Sequence, residues 1–331
     1  MKRELTPIEA RIWELGILPV VTIDNAEDAV PMANALSKGG LPCAEITFRT
    51  EAAAEAIRRI RENCPSVLCG AGTVLTIGQL HDAAKAGAQF VVTPGFQPKI
   101  VEAALAMKMP VFPGCATPSD VETALAMGLN TVKFFPAEAA GGVAMLKAMS
   151  APYGNMLFIP TGGIDLKNLS AYTALPSVLA CGGSFLVKKE WLANREYAKI
   201  TTMARQAIGA MLRLRMGHIG VIAQDAEECR HTAQVLSDLL LAEKTGNAEE
   251  NAFMIGDYFE VLLHNTNGER GHVCIRTNDV PRAAAYFRRM GVELLEETAQ
   301  YEADGTLRLI YCKDTWCGMG LHLLKTLPGE Q

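Results

Sequence analysis

Along roughly the first 210 residues, short apolar runs alternate with alanine-rich stretches whose apolar positions recur at helical spacing. The apolar runs occupy residues 17–23, 43–48, 67–74, 90–93, 111–115, 131–135, 157–161 and 178–181. Their shortness and the turn residues around them predict strands. Between them, residues 26–37, 52–62, 77–86, 98–107, 118–127, 142–149 and 166–174 predict helices, and 191–213 reads as one long helix closing the series. Gly39, Gly87 and Gly128 stand where three of those helices should stop. Eight strand–helix units in this length predict an α/β fold, a (β/α)8 TIM barrel. An open doubly wound sheet would carry GxGxxG after its first strand, and no such stretch follows residue 23.

Beyond residue 213 the pattern changes, and the chain divides into domains at 1–213 and 214–331. Gly217-His-Ile-Gly-Val-Ile-Ala-Gln-Asp225 is echoed by Gly271-His-Val-Cys-Ile-Arg-Thr-Asn-Asp279. Each copy reads as Gly-His, a strand, and an Asp seven residues after the His. Helical patterns follow at 226–241 and 280–290, and closing strands at 259–263 and 321–324. The second domain is therefore expected to be a smaller α+β domain of two βαβββ modules.

Composition narrows the partners. With 49% hydrophobic and 20% charged residues the chain is an ordinary globular one. A net charge of −5 argues against nucleic acid or an anionic membrane as partner, so any anion site must be built locally. The nine cysteines are odd in number and contain no CxxC, which fits reduced thiols in the cytoplasm. The first residues, MKRELTPIEARIWELG, lack the apolar core of a signal peptide, and no apolar run of about 18 residues suggests a membrane span.

Barrel active sites lie at the C-terminal ends of the strands. Those ends carry Glu45 and Arg49, Thr73, Pro94, Lys133, Thr161 with Gly162-Gly163, and Gly182-Gly183-Ser184. Lys133 interrupts an apolar strand, where a lysine must be paired or give up its proton. A neutral amine attacks a ketone to form a Schiff base. The alternative is a strand-end lysine with its ammonium in water. Glu45 suits proton transfer beside such an amine, or an ion pair of purely architectural use. Arg49 has the planar fork that grips a carboxylate. The glycine pairs follow the seventh and eighth strands, where barrels often hold phosphate on backbone N–H groups.

These segments resemble the 2-keto-3-deoxy-6-phosphogluconate (KDPG) and 4-hydroxy-2-oxoglutarate (KHG) aldolases. The matching stretches are Ala44-Glu-Ile-Thr-Phe-Arg-Thr50, Gly70-Ala-Gly-Thr-Val74, Thr93-Pro-Gly95, Pro113-Gly114, Lys133-Phe-Phe-Pro-Ala-Glu138, Pro160-Thr-Gly-Gly-Ile164 and Gly182-Gly-Ser184. The resemblance implies a cytoplasmic, metal-free class I aldolase that releases pyruvate from a 2-keto-4-hydroxy acid. In it Lys133 forms the imine and Glu45 carries protons. Arg49 and Thr73 hold the carboxylate, while Pro94, Phe135 and Thr161 line the site. Gly162, Gly163, Gly182, Gly183 and Ser184 receive the phosphate. A homo-oligomer, a trimer, is implied as well. Some relatives carry an arginine at the end of the first strand, where this chain has Val21-Thr22. A phosphosugar sensor is the competing class, but a sensor needs no imine-forming lysine.

The second domain looks like the glyoxalase, or vicinal oxygen chelate, superfold. That resemblance puts His218, Glu260, His272 and His322 at metal-ligand positions, a set suited to Zn2+, Ni2+ or Fe2+. His322 stands where glyoxalases carry Glu. Domains of this fold occur with and without a metal, so a second, metal-dependent activity and a purely structural role both remain open.

Overall fold

Most of the apolar runs form strands close to where the pattern places them. In the computed structural model, which describes residues 4–247, 252–264 and 267–326, the first nine strands are β1 (Ile17–Val21), β2 (Cys43–Thr47), β3 (Leu68–Gly72), β4 (Val91–Val92), β5 (Val111–Phe112), β6 (Gly114–Cys115), β7 (Thr131–Phe134), β8 (Leu157–Pro160) and β9 (Cys181–Gly183). The expected fifth strand is split into β5 and β6 by Pro113, which has no N–H for the ladder. Its carbonyl still accepts from the Lys133 N–H at 2.9 Å. The eighth strand starts later than its apolar run, because β1 pairs Ile17, Leu18 and Pro19 with Cys181, Gly182 and Gly183.

All these pairings are parallel, in the orders β5-β4-β3-β2-β1-β9 and β6-β7-β8. A Thr161–Gly182 bridge joins β8 to β9, and the chain through Pro113 joins the other ends, so the sheet curls into a ring. Amphipathic helices cover it. The helix Ala53–Asn63 buries Ala53, Ala56, Ile57 and Ile60, a stripe at i, i+3, i+4 and i+7. Each of the two isoleucines contributes about 1.5–3 kcal/mol by leaving water.

The first helix, Pro7–Leu15, begins with a capping box in which Thr6 and Glu9 satisfy each other's backbone N–H groups. Glu9 also accepts the hydroxyl of Thr131 at the start of β7, which ties this helix to the lysine strand. The long helix expected over 191–213 is two helices, Lys189–Ala193 and Tyr197–Leu212. The break falls at Arg195, whose φ of 54° no helix can continue.

The chain divides into two units, Met1–Met211 and Leu212–Gln331. The second contains β10 (Arg215–Ile222), β11 (Lys244–Asn247), β12 (Ala252–Ile255), β13 (Phe259–Leu262), β14 (His272–Thr277), β15 (Leu294–Tyr301), β16 (Leu307–Cys312) and β17 (Gly320–Lys325). Helices Ala226–Leu240 and Val280–Arg289 follow β10 and β14, so two βαβββ modules are present. They share one sheet, ordered β11-β12-β13-β10-β14-β17-β16-β15. The aspartate ending each sequence repeat is a helix cap. Asp225 accepts from the N–H groups of Glu227 and Glu228, and Asp279 from that of Arg282. Val221, Phe253, Ile255 and Val261 pack with Cys229 and Ala233 of the first of these helices. Glu260, one residue before Val261, therefore faces the other side of the sheet.

All nine cysteines are free thiols, eight of them buried. No helix among the described residues is long and apolar enough to cross a membrane.

Candidate active site

Glu45 on β2 and Lys133 on β7 belong to the second and sixth strands of an eight-strand ring, so they approach from opposite walls. Lys133 Nζ lies 3.6 Å from Glu45 Oε1, with side chains 6% and 1% exposed. At that distance the two attract without a hydrogen bond, and among the described residues Glu45 Oε1 has no hydrogen-bond partner. A buried carboxylate oxygen left unmet in this way is ready to take a proton from a group placed beside the amine. Glu45 reaches its position because β3 offers Gly72 beneath it: a Cβ there would stand 2.2 Å from Oε1. Thr47, next inward on β2, is occupied by hydrogen bonds with Val21 O at 3.1 Å and Thr22 Oγ1 at 2.9 Å.

Other residues named from the sequence lie at or just beyond the C-terminal ends of the strands. Phe135 follows β7 and sets its ring 5.2 Å from Lys133 Nζ, a cation–π distance. Thr73, directly after β3, is half-buried and held at φ 54°, a left-handed conformation that non-glycine residues rarely adopt. Such strain gathers at functional sites. Pro94 is half-buried, and its carbonyl lies where a Cβ on Gly114 would meet it at 2.1 Å. Thr161 is buried and lies against Gly182. Arg49 is exposed in the turn after β2, and no ion pair links it to Glu45.

The turn Gly162-Gly163 is held by residues to which the sequence reading attached no role. Gly162 O accepts from Glu138 N at 3.0 Å, and Gly163 O accepts from Asn168 Nδ2 at 3.0 Å. Glu138 in turn accepts the hydroxyl of buried Tyr172, whose pKa is raised first by burial and then by that bond. Gly163 has φ 80°, and a Cβ on it would stand 2.6 Å from Glu138 Cβ. Both features restrict the position to glycine. Gly183 closes β9, and Ser184 after it is exposed.

In the second unit, the four residues named as metal ligands come together. Nε2 of His218 and Nε2 of His272 are 3.2 Å apart, and Glu260 Oε2 lies 3.4 Å from the first and 3.1 Å from the second. Donors about 2.1 Å from one ion lie ~3.0 Å apart in an octahedral set and ~3.4 Å apart in a tetrahedral one. The observed triangle fits either geometry. Hydrogen bonds from His218 and then His272 hold the Glu260 carboxyl well below the usual range. The ring of His322 is centred 4.9 Å from that of His272 and stacks on Tyr311 at 4.7 Å. Burial, with the other two histidines beside it, lowers His322 to about 3, so it stays a neutral donor. Cys274, which is not among the ligands expected from the sequence, joins the same cluster. Burial pushes its thiol up to about 11. The signal was available, since Cys274 is two residues after His272 in a strand and shares its face.

Comparison with known proteins bears on the first unit. The family described as KDPG and KHG aldolase matches residues 8–203. A 2-dehydro-3-deoxy-phosphogluconate aldolase of Treponema pallidum is 50% identical over 204 residues, 62% of this chain and 97% of that protein. A KHG/KDPG aldolase of Escherichia coli K12 is 43% identical over 213 residues, 64% of this chain and 100% of that protein. Among solved structures, a KDPG aldolase from Legionella pneumophila, with pyruvate captured as a covalent carbinolamine, is 40% identical. It superposes with a TM-score of 0.59 over 61% of this chain and 98% of its own.

Proposed function

The chain belongs to the KDPG and KHG aldolase family and its first unit is a class I aldolase; from that premise we propose that Lys133 is the imine-forming amine and Glu45 the proton carrier. The observation that carries this reading is the buried Lys133–Glu45 pair, 3.6 Å apart and free of a direct hydrogen bond. The substrate is KDPG, cleaved to pyruvate and glyceraldehyde 3-phosphate, or 4-hydroxy-2-oxoglutarate, cleaved to pyruvate and glyoxylate, or both. After its ammonium gives up one proton, the amine adds to the C2 ketone; that proton leaves with the carbinolamine hydroxyl as water, and a protonated imine remains. Glu45 then takes the proton of the C4 hydroxyl as the C3–C4 bond breaks. The bonding pair flows into the imine, so an enamine forms in place of a bare carbanion. Glu45 returns its proton to C3, and water adds to the imine to release pyruvate and the amine.

Arg49 and Thr73 hold the substrate carboxylate, with Pro94, Phe135 and Thr161 lining the site. Among the described residues no ion pair ties down the exposed guanidinium of Arg49, which leaves its fork available for that carboxylate. The phosphate rests on the turns Gly162-Gly163 and Gly182-Gly183-Ser184. Gly163 is a poor place to test this, because any side chain there meets Glu138. Ser184 is exposed and carries no such constraint. Ser184→Asp is expected to raise KM for KDPG by about tenfold or more through like-charge repulsion, with KM for 4-hydroxy-2-oxoglutarate changing less than about twofold. Steady-state kinetics on both substrates check this, and equal effects on the two overturn the phosphate placement. The assembly is read as a homotrimer by family resemblance, and light scattering should give the mass of three chains.

The second unit is read as a glyoxalase-like domain with a divalent metal site at His218, Glu260, His272 and His322. The converging donor atoms and the unpartnered ring nitrogens of His322 favour this over a purely structural role. A bound ion would supply a Lewis acid for an oxygen-bearing ligand. Elemental analysis of the full chain after metal reloading should find about one ion per chain, and a chelator should lower the Tm of the second unit by several degrees. A chain that takes up no metal leaves these residues a structural role alone.

A further inference from the structure

Cys274 and His272 lie two residues apart on β14 and project from the same face of the sheet. The register of β14 with β17 sets Cys274 directly opposite His322. The Sγ of Cys274 and one ring nitrogen each of His218 and His322 all lie within 4.8 Å of one another. These three side chains are buried, His322 to 2% exposure, and among the described residues neither ring nitrogen of His322 has a hydrogen-bond partner. A buried polar group left unmet is costly, so an imidazole held with both nitrogens idle is a site prepared for a ligand from outside the polypeptide. Two donor triads thus share His218. One is completed by His272 and the half-buried carboxylate of Glu260, the other by His322 and a buried thiol.

We propose that the second triad is a thiolate-containing metal site, in which His218, His322 and Cys274 hold a thiophilic divalent cation of the Zn2+ class, with Glu260 and His272 as further donors on its other side. The inference rests on the reading of this cluster as a metal site and adds the donor that sets its selectivity. Imidazole and carboxylate donors alone serve Zn2+, Ni2+ and Fe2+ alike, whereas a thiolate shifts preference toward Zn2+ and other thiophilic ions. Burial keeps solvent from competing for the ion. Binding forms one sulfur–metal bond and releases the thiol proton to solvent, with no change of oxidation state. The ring of Tyr311, stacked on His322 with 23° between planes, fixes the orientation in which that imidazole meets the ion.

The experiment loads the metal-stripped full chain with Co2+ and reads both bound cobalt and the near-ultraviolet absorption. The expected result is about one bound cobalt per chain with an intense thiolate-to-cobalt charge-transfer band. In Cys274→Ser that band should vanish while cobalt still binds through the remaining donors. Zn2+ affinity in the variant should fall about tenfold or more, since loss of even an outer-shell partner costs that much. Cobalt bound to the wild type without the band overturns ligation by Cys274 and leaves the metal reading standing. Failure of cobalt to bind overturns both. A band that survives in Cys274→Ser belongs to another cysteine and also overturns the proposal. Should the serine variant fold poorly, Cd2+ titration of the wild type gives an independent reading, because thiolate–cadmium absorption must appear at one equivalent and its absence overturns the proposal.

Discussion

Replacing Lys133 by alanine is expected to lower kcat/KM for aldol cleavage by about 10⁴-fold or more, the scale on which loss of a covalent nucleophile is felt. The reason is specific to the position. Lys133 is buried on β7, and its nearest charged neighbour is Glu45 Oε1 at 3.6 Å. Among the described residues no other lysine is paired with this carboxylate. Removal of the ammonium leaves Glu45 without its counter-charge, so some loss of stability accompanies the loss of activity. The two effects separate in one measurement. Pyruvate with borohydride should fix a covalent mass on Lys133 of the wild type and none on the variant, whatever the variant's Tm. A wild type that takes no adduct, or a folded variant that takes as much, would exclude the imine.

The barrel was legible because each strand is an apolar run bounded by turn residues, a signal that survives without tertiary information. Its exceptions have local causes. Pro113 splits the fifth strand, and pairing with β1 draws the eighth toward Cys181–Gly183. The helix break at Arg195 carries no proline or glycine, so nothing in the periodicity marked it. At the site, Lys133 and Glu45 could be named by counting strand ends, since a polar residue at the C-terminal end of a barrel strand has few other reasons to be there. Their approach across the ring could not be read the same way, because it depends on Gly72 in a third strand. Glu9 was hidden for a different reason. A glutamate in the first turn of an N-terminal helix reads as a solvated cap, and only the fold brings it to Thr131. In the second unit the internal repeat exposed His218 and His272, while Cys274 was masked by its resemblance to an ordinary buried strand cysteine.

Glu45→Gln is expected to lower kcat by roughly 10²–10⁴-fold, the range for loss of a general acid–base group, while the imine can still form. Glutamine matches the carboxylate in shape, so the space above Gly72 stays filled and the strand geometry is kept. What it lacks is the ability to exchange a proton with carbon. That function can be isolated with pyruvate alone: wild-type enzyme in D2O should exchange the methyl hydrogens of pyruvate through the enamine, by a route that needs no aldehyde. The variant should exchange them slower by a factor similar to its loss in kcat, yet borohydride should still trap pyruvate on Lys133. Trapping at saturation with exchange abolished would assign Glu45 to proton transfer. Exchange as fast as in the wild type would remove Glu45 from that role and leave it the counter-charge of Lys133. If trapping were lost along with exchange, Glu45 would instead be required to keep Lys133 in position, because a buried ammonium stripped of its partner is costly by about 3–5 kcal/mol and the strand end would rearrange to relieve it.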